Sequence, residues 1–386
     1  MILINTVENS LVDLKNKGNL DVAFDSYNPN GYFEKVYHIT YNPKDEEIAS
    51  ENNIIIVCPF YFKFLYKFKD NKKLKLLLYP FIYIFHIFYL AYFINKKNID
   101  IARGRMPYLM SYALGIASKI NKIPFIVSLG GDNRLAQEKI GQYHLFNIRW
   151  LSYWIEERVI NLSNCTIAPN LYTKKYIENI SKQQNIEINP LPIRKSFFDD
   201  IQIRDEKREN YFLFIGRLIG DKHPDFVINL FSEYIKKNED REMRLKFIGD
   251  GVLLDKLKAQ TVKLKIDNRV DFLGFLEADN IKKYIKKAKV SLIPISGFVI
   301  YETAIFANPI ITSDIEWHSE FIKHNKNGWV CRYLDIEDWS NQLVKLINNY
   351  DETLRTSLNL KEEIIKFHPN KIFDKDIEIY NREIYR

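Results

Sequence analysis

Short apolar runs alternate with helical patterns in the second half of the chain. Each run is long enough for a buried strand, and most of them end at a glycine. Strands that alternate with helices of roughly 10–15 residues are typical of a parallel, doubly wound sheet. Such sheets bind ligands at the carboxyl ends of their strands, where a glycine lets the backbone approach closely. The predicted strands lie at 211–215, 247–251, 270–275, 291–295 and the end of 297–311.

The first half of the chain shows the same alternation, with helical patterns at 107–121, 145–162 and 172–180. We therefore predict a second Rossmann-like domain, which makes the chain an α/β protein. The charged, aperiodic segment 194–210 is the predicted linker, and a last helical pattern covers about 370–385. The strand-type runs of this half lie at 53–58, 99–103, 124–129 and 165–170.

Two cations follow the first strand of the second half. Arg217 and Lys222 lie five residues apart after Gly216, and a helix is predicted to open at Pro224. An arginine fork, a lysine point charge and the positive end of a helix dipole together suit a diphosphate group. A solvated basic loop is the alternative interpretation.

The order of motifs in the second half resembles the donor-binding half of the family 4 (GT4) retaining glycosyltransferases, which have the GT-B fold. The matching motifs lie between about 209 and 335: G-R-L-x-x-x-K from Gly216, I-G-D-G from Ile248, V-D-F-L-G from Val270, G-F-x-x-x-E from Gly297, and Asn327-Gly328. The resemblance implies two Rossmann-like, doubly wound domains that face a cleft. Residues 1–193 would bind the acceptor and residues 194–369 the donor. A terminal helix at 370–386 would cross back to the first domain.

The same resemblance implies a role for individual residues. Arg217 and Lys222 would hold the diphosphate of a nucleotide-sugar, and Glu302 would bind the ribose hydroxyls. A carboxylate near a helix N-terminus, favoured by the dipole, is the alternative interpretation of Glu302. No metal or other cofactor is expected, because fixed cations would stabilise the leaving group and no Asp-x-Asp motif follows a strand. Further donor contacts are expected from Gly216, Asp250, Gly251, Phe275, Gly297, Phe298, Val299, Ile300 and Thr303.

The chain departs from the family pattern at two places. The family has a first glutamate eight residues before the second, but here that position is Pro294, and the nearest polar residue is Ser296. Family members often have a histidine after the strand at 124–129, where this chain has glycine. Candidates for acceptor or sugar contacts there are Gly130, Asp132, Asn133 and Arg134, and a turn with a helix cap is the alternative interpretation.

The segment 62–94 carries a second signal. Residues 62–75 contain six lysines and one aspartate, and residues 76–94 contain no charged side chain apart from His86. Helices with lysine-rich, aromatic flanks are typical of the membrane interface. A buried core helix and a membrane span are the alternatives, although Pro80 argues against a span.

Composition sets the remaining limits. The chain has 386 residues, of which 46% are hydrophobic and 27% charged, so it is long enough for two to three globular domains. Its three cysteines have no metal-binding or redox spacing, and its N-terminus has no signal-peptide pattern. We therefore expect a cytoplasmic protein at the inner face of the cytoplasmic membrane. The net charge of +7 comes with no nucleic-acid-binding motif.

The function expected from the resemblance is retaining, metal-independent transfer of a sugar from a nucleotide-diphospho-sugar to a saccharide acceptor. Because of the segment 62–94, we expect the acceptor to be lipid-linked, as in the synthesis of cell-surface polysaccharide or lipopolysaccharide. One alternative is a degenerate GT-B protein that binds nucleotide or glycan without catalysis. The other is a different GT-B enzyme, either a sugar-nucleotide epimerase or an inverting transferase.

Overall fold

The computed structural model describes residues 1–7, 10–16, 20–67, 72–140, 147–199, 207–238, 242–295 and 297–386. The chain forms two compact units. Unit 1 comprises Met1–Pro192 together with Pro369–Arg386, and unit 2 comprises Ile193–His368. Each unit contains one parallel sheet with helices on both faces.

Unit 1 has a seven-stranded sheet in the order β3-β2-β1-β4-β5-β6-β7, and every strand pair in it is parallel. The strands are β1 (Ile2–Val7), β2 (Lys35–Ile39), β3 (Ile54–Val57), β4 (Ile101–Arg105), β5 (Phe125–Ser128), β6 (Cys165–Ala168) and β7 (Ile186–Ile188). The helices are α1 (Leu11–Asn16), α2 (Leu20–Tyr27), α3 (Phe60–Lys67), α4 (Lys72–Lys97), α5 (Leu109–Asn121), α6 (Asn133–Ile140), α7 (Arg149–Leu162) and α8 (Leu171–Ile180).

Alternation along the strands of unit 1 separates two hydrophobic cores. Ile4, Ala102 and Val127 point to the face that α4, α5 and α7 cover. Leu3, Ile101 and their neighbours point to the opposite face, where α1, α2 and the C-terminal helix pack. Both faces are apolar, as the buried strands of a parallel sheet require.

Unit 2 has a six-stranded parallel sheet in the order β10-β9-β8-β11-β12-β13. The strands are β8 (Glu209–Ile215), β9 (Arg244–Ile248), β10 (Val270–Phe272), β11 (Ala288–Ile293), β12 (Ile310–Ser313) and β13 (Trp329–Cys331). The helices are α9 (Lys195–Phe198), α10 (Pro224–Asn238), α11 (Leu254–Lys263), α12 (Ala278–Lys287), α13 (Phe298–Ile305), α14 (His318–Phe321), α15 (Ile336–Asn348) and α16 (Tyr350–Ile364).

The last helix, α17 (Pro369–Ile384), belongs to unit 1. It is anchored by a buried ion pair in which Arg103 Nη1 lies 2.7 Å from Asp376 Oδ2. Arg103 also donates to the Tyr380 hydroxyl, and Asn189 donates to Asp376 Oδ1 at 2.8 Å. With two Rossmann-like sheets and this returning helix, the predicted fold class is confirmed.

The predicted linker 194–210 differs from the structure. Lys195–Phe198 is a short helix, and its Phe197 ring lies 5.8 Å from that of Phe306. Arg208 donates to the carbonyl oxygens of Ile285 and Phe306, and the strand β8 already begins at Glu209. The charged composition suggested a solvated segment, but the aromatic and guanidinium groups have partners that are distant in sequence. Residues 200–206 of this segment lie outside the described residues.

The apolar segment 76–94 falls within α4, which is 26 residues long and contains Pro80. By length and composition alone, Leu77–Lys97 is the one helix in the described residues that could cross a bilayer. Its inner side packs against α5 and the core, with Leu90 and Ile94 buried. Its outer side is exposed, so α4 as a whole is not a core helix. Residues 68–71 of the lysine-rich run lie outside the described residues.

Candidate functional site

The loops after three neighbouring strands of unit 2 are joined by backbone hydrogen bonds. Gly216 N donates to Ile248 O at 2.9 Å, and Leu218 N donates to Asp250 O at 2.9 Å. The loop after β10 joins them, because Gly249 N donates to Gly274 O at 2.8 Å. The predicted motifs around Gly216, Asp250 and Gly274 therefore form one continuous edge.

Two glycines make this close approach possible. Gly249 has a φ of +130°, and a Cβ atom there would lie 2.0 Å from Gly216 O. A Cβ atom on Gly251 would lie 2.5 Å from Leu218 O. Any side chain at these positions would separate the loops, so the glycines of the I-G-D-G motif are required by packing of backbone on backbone.

Arg217 and Lys222 lie at this edge, on the loop after β8. The Arg217 side chain is 65% exposed, and its Nη2 lies 3.8 Å from Asp221 Oδ2. Lys222 Nζ lies 3.9 Å from the same oxygen. Both contacts are longer than a hydrogen bond, so the exposed guanidinium can turn towards an incoming anion. Two cations share one carboxylate, and the loop keeps a net positive charge.

Glu302 lies in the second turn of α13, the helix that follows β11. β11 is the neighbour of β8 in the sheet, so its carboxyl end belongs to the same edge. The side chain is half-buried, and desolvation raises the pKa of its carboxyl group, while the nearby Arg194 opposes that rise. The hydroxyl of the adjacent Thr303 is buried and has no hydrogen-bond partner among the described residues.

The remaining predicted donor residues differ in what they present. Phe275 and Phe298 are exposed, by 61% and 42%. Ile300 is fully buried and Val299 is half-buried, so the predicted contact from Ile300 stays a prediction. Asp250 accepts a hydrogen bond from Gly251 N at 2.7 Å and stabilises the turn. Gly297 precedes the first turn of α13, and Ser296 lies outside the described residues.

Sequence reasoning missed a polar contact at this edge. The Tyr333 hydroxyl lies 2.7 Å from His223 Nε2, and Tyr333 N donates to Asp314 Oδ1 at 2.8 Å. These bonds connect the loops after β8, β12 and β13. Tyr333 follows the Gly-Trp-Val motif of β13 by only three residues, so its position after that strand was the available signal.

In unit 1, the residues after β5 are held by a buried carboxylate of α7. Asn133 Nδ2 donates to Glu156 Oε1 at 3.0 Å, and Arg134 Nε donates to Glu156 Oε2 at 3.0 Å. Tyr176 donates to the same carboxylate at 2.7 Å. Burial raises the pKa of Glu156, and these three donors oppose the rise. This network could not be predicted from the sequence, because its members come from three helices, α6, α7 and α8.

Two further residues after β5 belong to the turn itself. Asp132 Oδ1 accepts from Leu135 N at 2.9 Å, which is a helix cap, and its Oδ2 accepts from the Tyr172 hydroxyl at 3.3 Å. Gly130 lies close to the Met106 side chain. Asp132 therefore has the capping role that was the alternative interpretation, and the predicted ligand contacts of this segment remain predictions. Across the described ranges, no group of three or more His, Cys, Asp or Glu residues is arranged to hold a metal ion.

Comparison with known proteins identifies the class. Residues 196–365 match the family described as "Glycosyl transferases group 1", which covers most of unit 2. The structure of HepE from Anabaena in complex with UDP superposes with a TM-score of 0.73 and 14% identity, and the match covers 99% of each chain. At that identity the likeness shows the fold alone, which is GT-B.

Two curated relatives are similar in sequence. An uncharacterized glycosyltransferase from Methanocaldococcus jannaschii is 26% identical over 247 residues, which cover 61% of this chain and 58% of the relative. A Campylobacter jejuni α-1,4-N-acetylgalactosaminyltransferase, whose name specifies a diphospho-undecaprenol-linked saccharide, is 28% identical over 273 residues. This match covers 68% of the chain and 70% of the relative. The chain thus spans little more than half of the first relative.

Residues 196–365 of the chain thus match the group 1 glycosyltransferases, and both curated relatives are named as glycosyltransferases. The predicted enzyme class is therefore confirmed, while the finer assignment to GT4 stays a prediction.

Proposed function

We propose that the chain transfers a glycosyl group from a nucleotide-diphospho-sugar to a saccharide acceptor, with retention at the anomeric carbon. The observation that carries this proposal is the edge of unit 2, where Arg217 and Lys222 both lie beside the carboxylate of Asp221. An exposed arginine and a partly buried lysine beside closely packed glycine loops suit the diphosphate of the donor. Retention rests on the resemblance to GT4 enzymes.

The proposed mechanism follows from where charge develops. When the glycosidic bond breaks, negative charge grows on the leaving nucleoside diphosphate. Arg217 and Lys222 would stabilise this charge as preorganised cations, without a metal ion. Glu302 would accept hydrogen bonds from the ribose hydroxyls, and Phe275 would meet the base. Uridine diphosphate is the first nucleotide to test, because the structurally similar HepE binds UDP.

The acceptor is proposed to be a lipid-linked saccharide at the cytoplasmic face of the membrane, in the synthesis of cell-surface polysaccharide or lipopolysaccharide. The name of the Campylobacter relative specifies an undecaprenol-linked acceptor. The exposed apolar side of α4 in unit 1, the proposed acceptor domain, agrees with work at a membrane surface.

The diphosphate role is tested with Arg217→Ala and Lys222→Ala in a transfer assay with a panel of nucleotide-sugars. Each variant should lose about 2–4 kcal/mol of transition-state stabilisation, as when an oxyanion donor is removed. Lys236→Ala is the matched control, because Lys236 is an exposed lysine that pairs with Glu233 on α10. Transfer by both variants at the rate of the control would exclude the assignment.

The nucleotide role is tested with Glu302→Gln by calorimetry. Loss of a charged acceptor for a ribose hydroxyl should weaken nucleoside-diphosphate binding by about 1.5–3 kcal/mol. Unchanged affinity would leave Glu302 with a structural role in α13.

A binding protein without catalysis is the second candidate, because Pro294 and Gly130 stand where the family has a glutamate and often a histidine. Donor binding without turnover across the whole panel would favour it. The stereochemistry of a product would separate retaining from inverting transfer, and release of an epimerised sugar nucleotide would indicate an epimerase.

A further inference from the structure

The outer side of α4 is apolar from Leu77 to Tyr92. The exposed positions in this stretch recur at the spacing of one helical face, and none of them is charged. Positions in contact with water at this spacing would normally be charged or polar. The set covers roughly 22 Å of helix at 1.5 Å per residue. Its members are Leu77, Phe81, Ile84, Phe85, Phe88 and Tyr92.

The helix α3 extends this surface. Phe60 is 66% exposed and Phe64 is 49% exposed. The Phe60 ring lies 6.0 Å from that of Phe85, so the two helices present one aromatic patch. Contiguous exposed apolar patches of this kind mark interaction sites.

The helix α7 carries a second aromatic group. It belongs, with α4 and α5, to the layer of helices that covers one face of the unit 1 sheet. Helices α4, α5 and α7 pack on one core, so their outward positions share one side of unit 1. Trp150 and Trp154 are exposed by 70% and 40% and lie one turn apart. Tyr112 of α5 lies beside this group, with its ring 6.1 Å from that of Trp154. Tryptophan is the residue that membrane interfaces favour most clearly.

Chain direction places these groups at one end of the layer. Helices α4 and α7 both lead into the amino end of a strand, so their first turns lie towards the carboxyl edge of the sheet. Trp150 therefore lies at the same end as Leu77 and Phe81. This is the edge where a parallel α/β sheet binds its ligands.

The charge of these helices favours an anionic partner. None of the helices α3, α4 and α5 contains aspartate or glutamate, while they contain eight lysines, of which Lys63 pairs with Glu46. Helix α7 contains two glutamates and two arginines. Lys96 and Lys97 close the apolar stretch of α4 and lie over tyrosine rings. Arg158 lies over the Trp154 ring on α7. Aromatic side chains surrounded by cations complement an anionic lipid surface.

Internal contacts hold α4 on unit 1. The Tyr83 hydroxyl donates to Leu109 O at 2.9 Å, and Asn121 Nδ2 donates to Ala91 O at 3.0 Å. His86 Nδ1 lies 2.6 Å from the Tyr61 hydroxyl of α3. Because one side of α4 is bonded to its own domain, only its outer side can contact lipid. A helix held in this way can lie along the surface of a bilayer.

We propose that α3, α4 and α7 dock unit 1 onto an anionic lipid bilayer, with Phe81, Phe88 and Trp150 inserted. Docking in this way brings the carboxyl edge of the unit 1 sheet to the headgroup level. The docking itself is independent of the proposed function, and only its purpose, the presentation of a lipid-linked acceptor, rests on that function.

The test is flotation of the full chain with phosphatidylglycerol-phosphatidylcholine vesicles and with pure phosphatidylcholine vesicles, at low and high salt. The wild type should bind the anionic vesicles more tightly, and high salt should weaken binding. Phe81→Glu/Phe88→Glu should lower partitioning about tenfold or more, because each buried Phe contributes about an order of magnitude. Trp150→Ala should lower it several-fold. Val262→Glu, at a 61% exposed site in unit 2, is the control.

Failure of the wild type to bind anionic vesicles would overturn the proposal. So would dissociation of a solution dimer by Phe81→Glu/Phe88→Glu without any change in vesicle binding, since the face would then join two copies of the chain. If Trp150→Ala binds vesicles as tightly as the wild type, α7 is not part of the docking surface, and that part of the proposal is wrong. Transfer to a water-soluble acceptor tests the proposed function separately, because the docking variants should retain it.

Discussion

Helices α4 and α17 cover opposite faces of the same sheet, yet their outer sides have opposite character. Both bury one side in the core of unit 1, through residues such as Leu90 in α4 and Tyr380 in α17. The outer positions of α17 are Lys371, Asp374, Glu378 and Arg382, all exposed and charged. The outer positions of α4 from Leu77 to Tyr92, at a similar spacing, are apolar.

The difference between the two helices cannot come from folding alone. An outer position contributes little to the stability of unit 1, so packing on the sheet accepts either composition. Exposed charges keep the α17 side in water, whereas an exposed row of phenylalanine is unfavourable there. An exposed apolar side of this kind is typical of an interaction surface.

The anchoring of α17 gives the largest expected effect. Asp376→Ala would leave Arg103 buried without its ion-pair partner, which should cost about 3–5 kcal/mol of unfolding free energy. Glu378→Ala, two residues away on the outer side, should change stability by less than about 0.5 kcal/mol. Urea denaturation followed by circular dichroism measures both. Equal midpoints would show that the ion pair does not anchor the helix.

A matched pair of substitutions separates the two sides of α4. Leu90→Ala removes a fully buried side chain and should cost about 2–5 kcal/mol. Phe88→Ser, two residues away at a 64% exposed position, should change stability by no more than about 0.5 kcal/mol. Thermal unfolding in detergent-free buffer compares them. A large loss from Phe88→Ser would mean that the outer side is part of the core.

Low pH should lower the stability of unit 1 gradually, through His86 on the α4 side. Burial lowers the pKa of His86 from 6.5 to about 3, so the folded state binds fewer protons than the unfolded state between these values. Stability should therefore fall as the pH drops from about 6.5 towards about 3. The urea midpoint should depend less on pH across this range in His86→Gln than in the wild type.

Part of the pH dependence of stability should remain in this variant, because burial also lowers the pKa of His38, on the α17 side, to about 4. An unchanged pH profile in His86→Gln would show that His86 does not contribute.

Much of the fold and of the candidate site followed from local pattern. The alternation of strands and helices, the loop with Arg217 and Lys222, and the position of Glu302 after β11 all depend on neighbours in sequence. The contacts that sequence reasoning missed join distant segments: Glu156 with Asn133 and Tyr333 with His223. Such pairs leave no periodic signal, because each partner taken alone is an ordinary polar residue.

By itself the sequence determined that residues 76–94 form an apolar helix and that glycine loops end the strands of unit 2. It did not determine which side of α4 faces outwards. A helix that is apolar all round has no polar stripe that predicts which side faces the core. The rotation of α4 is determined by its packing against α5 and by the hydrogen bond between His86 and Tyr61. Only the tertiary structure decided that Phe81 and Phe88 lie outside while Leu90 lies inside, because burial depends on neighbours that the chain brings from elsewhere.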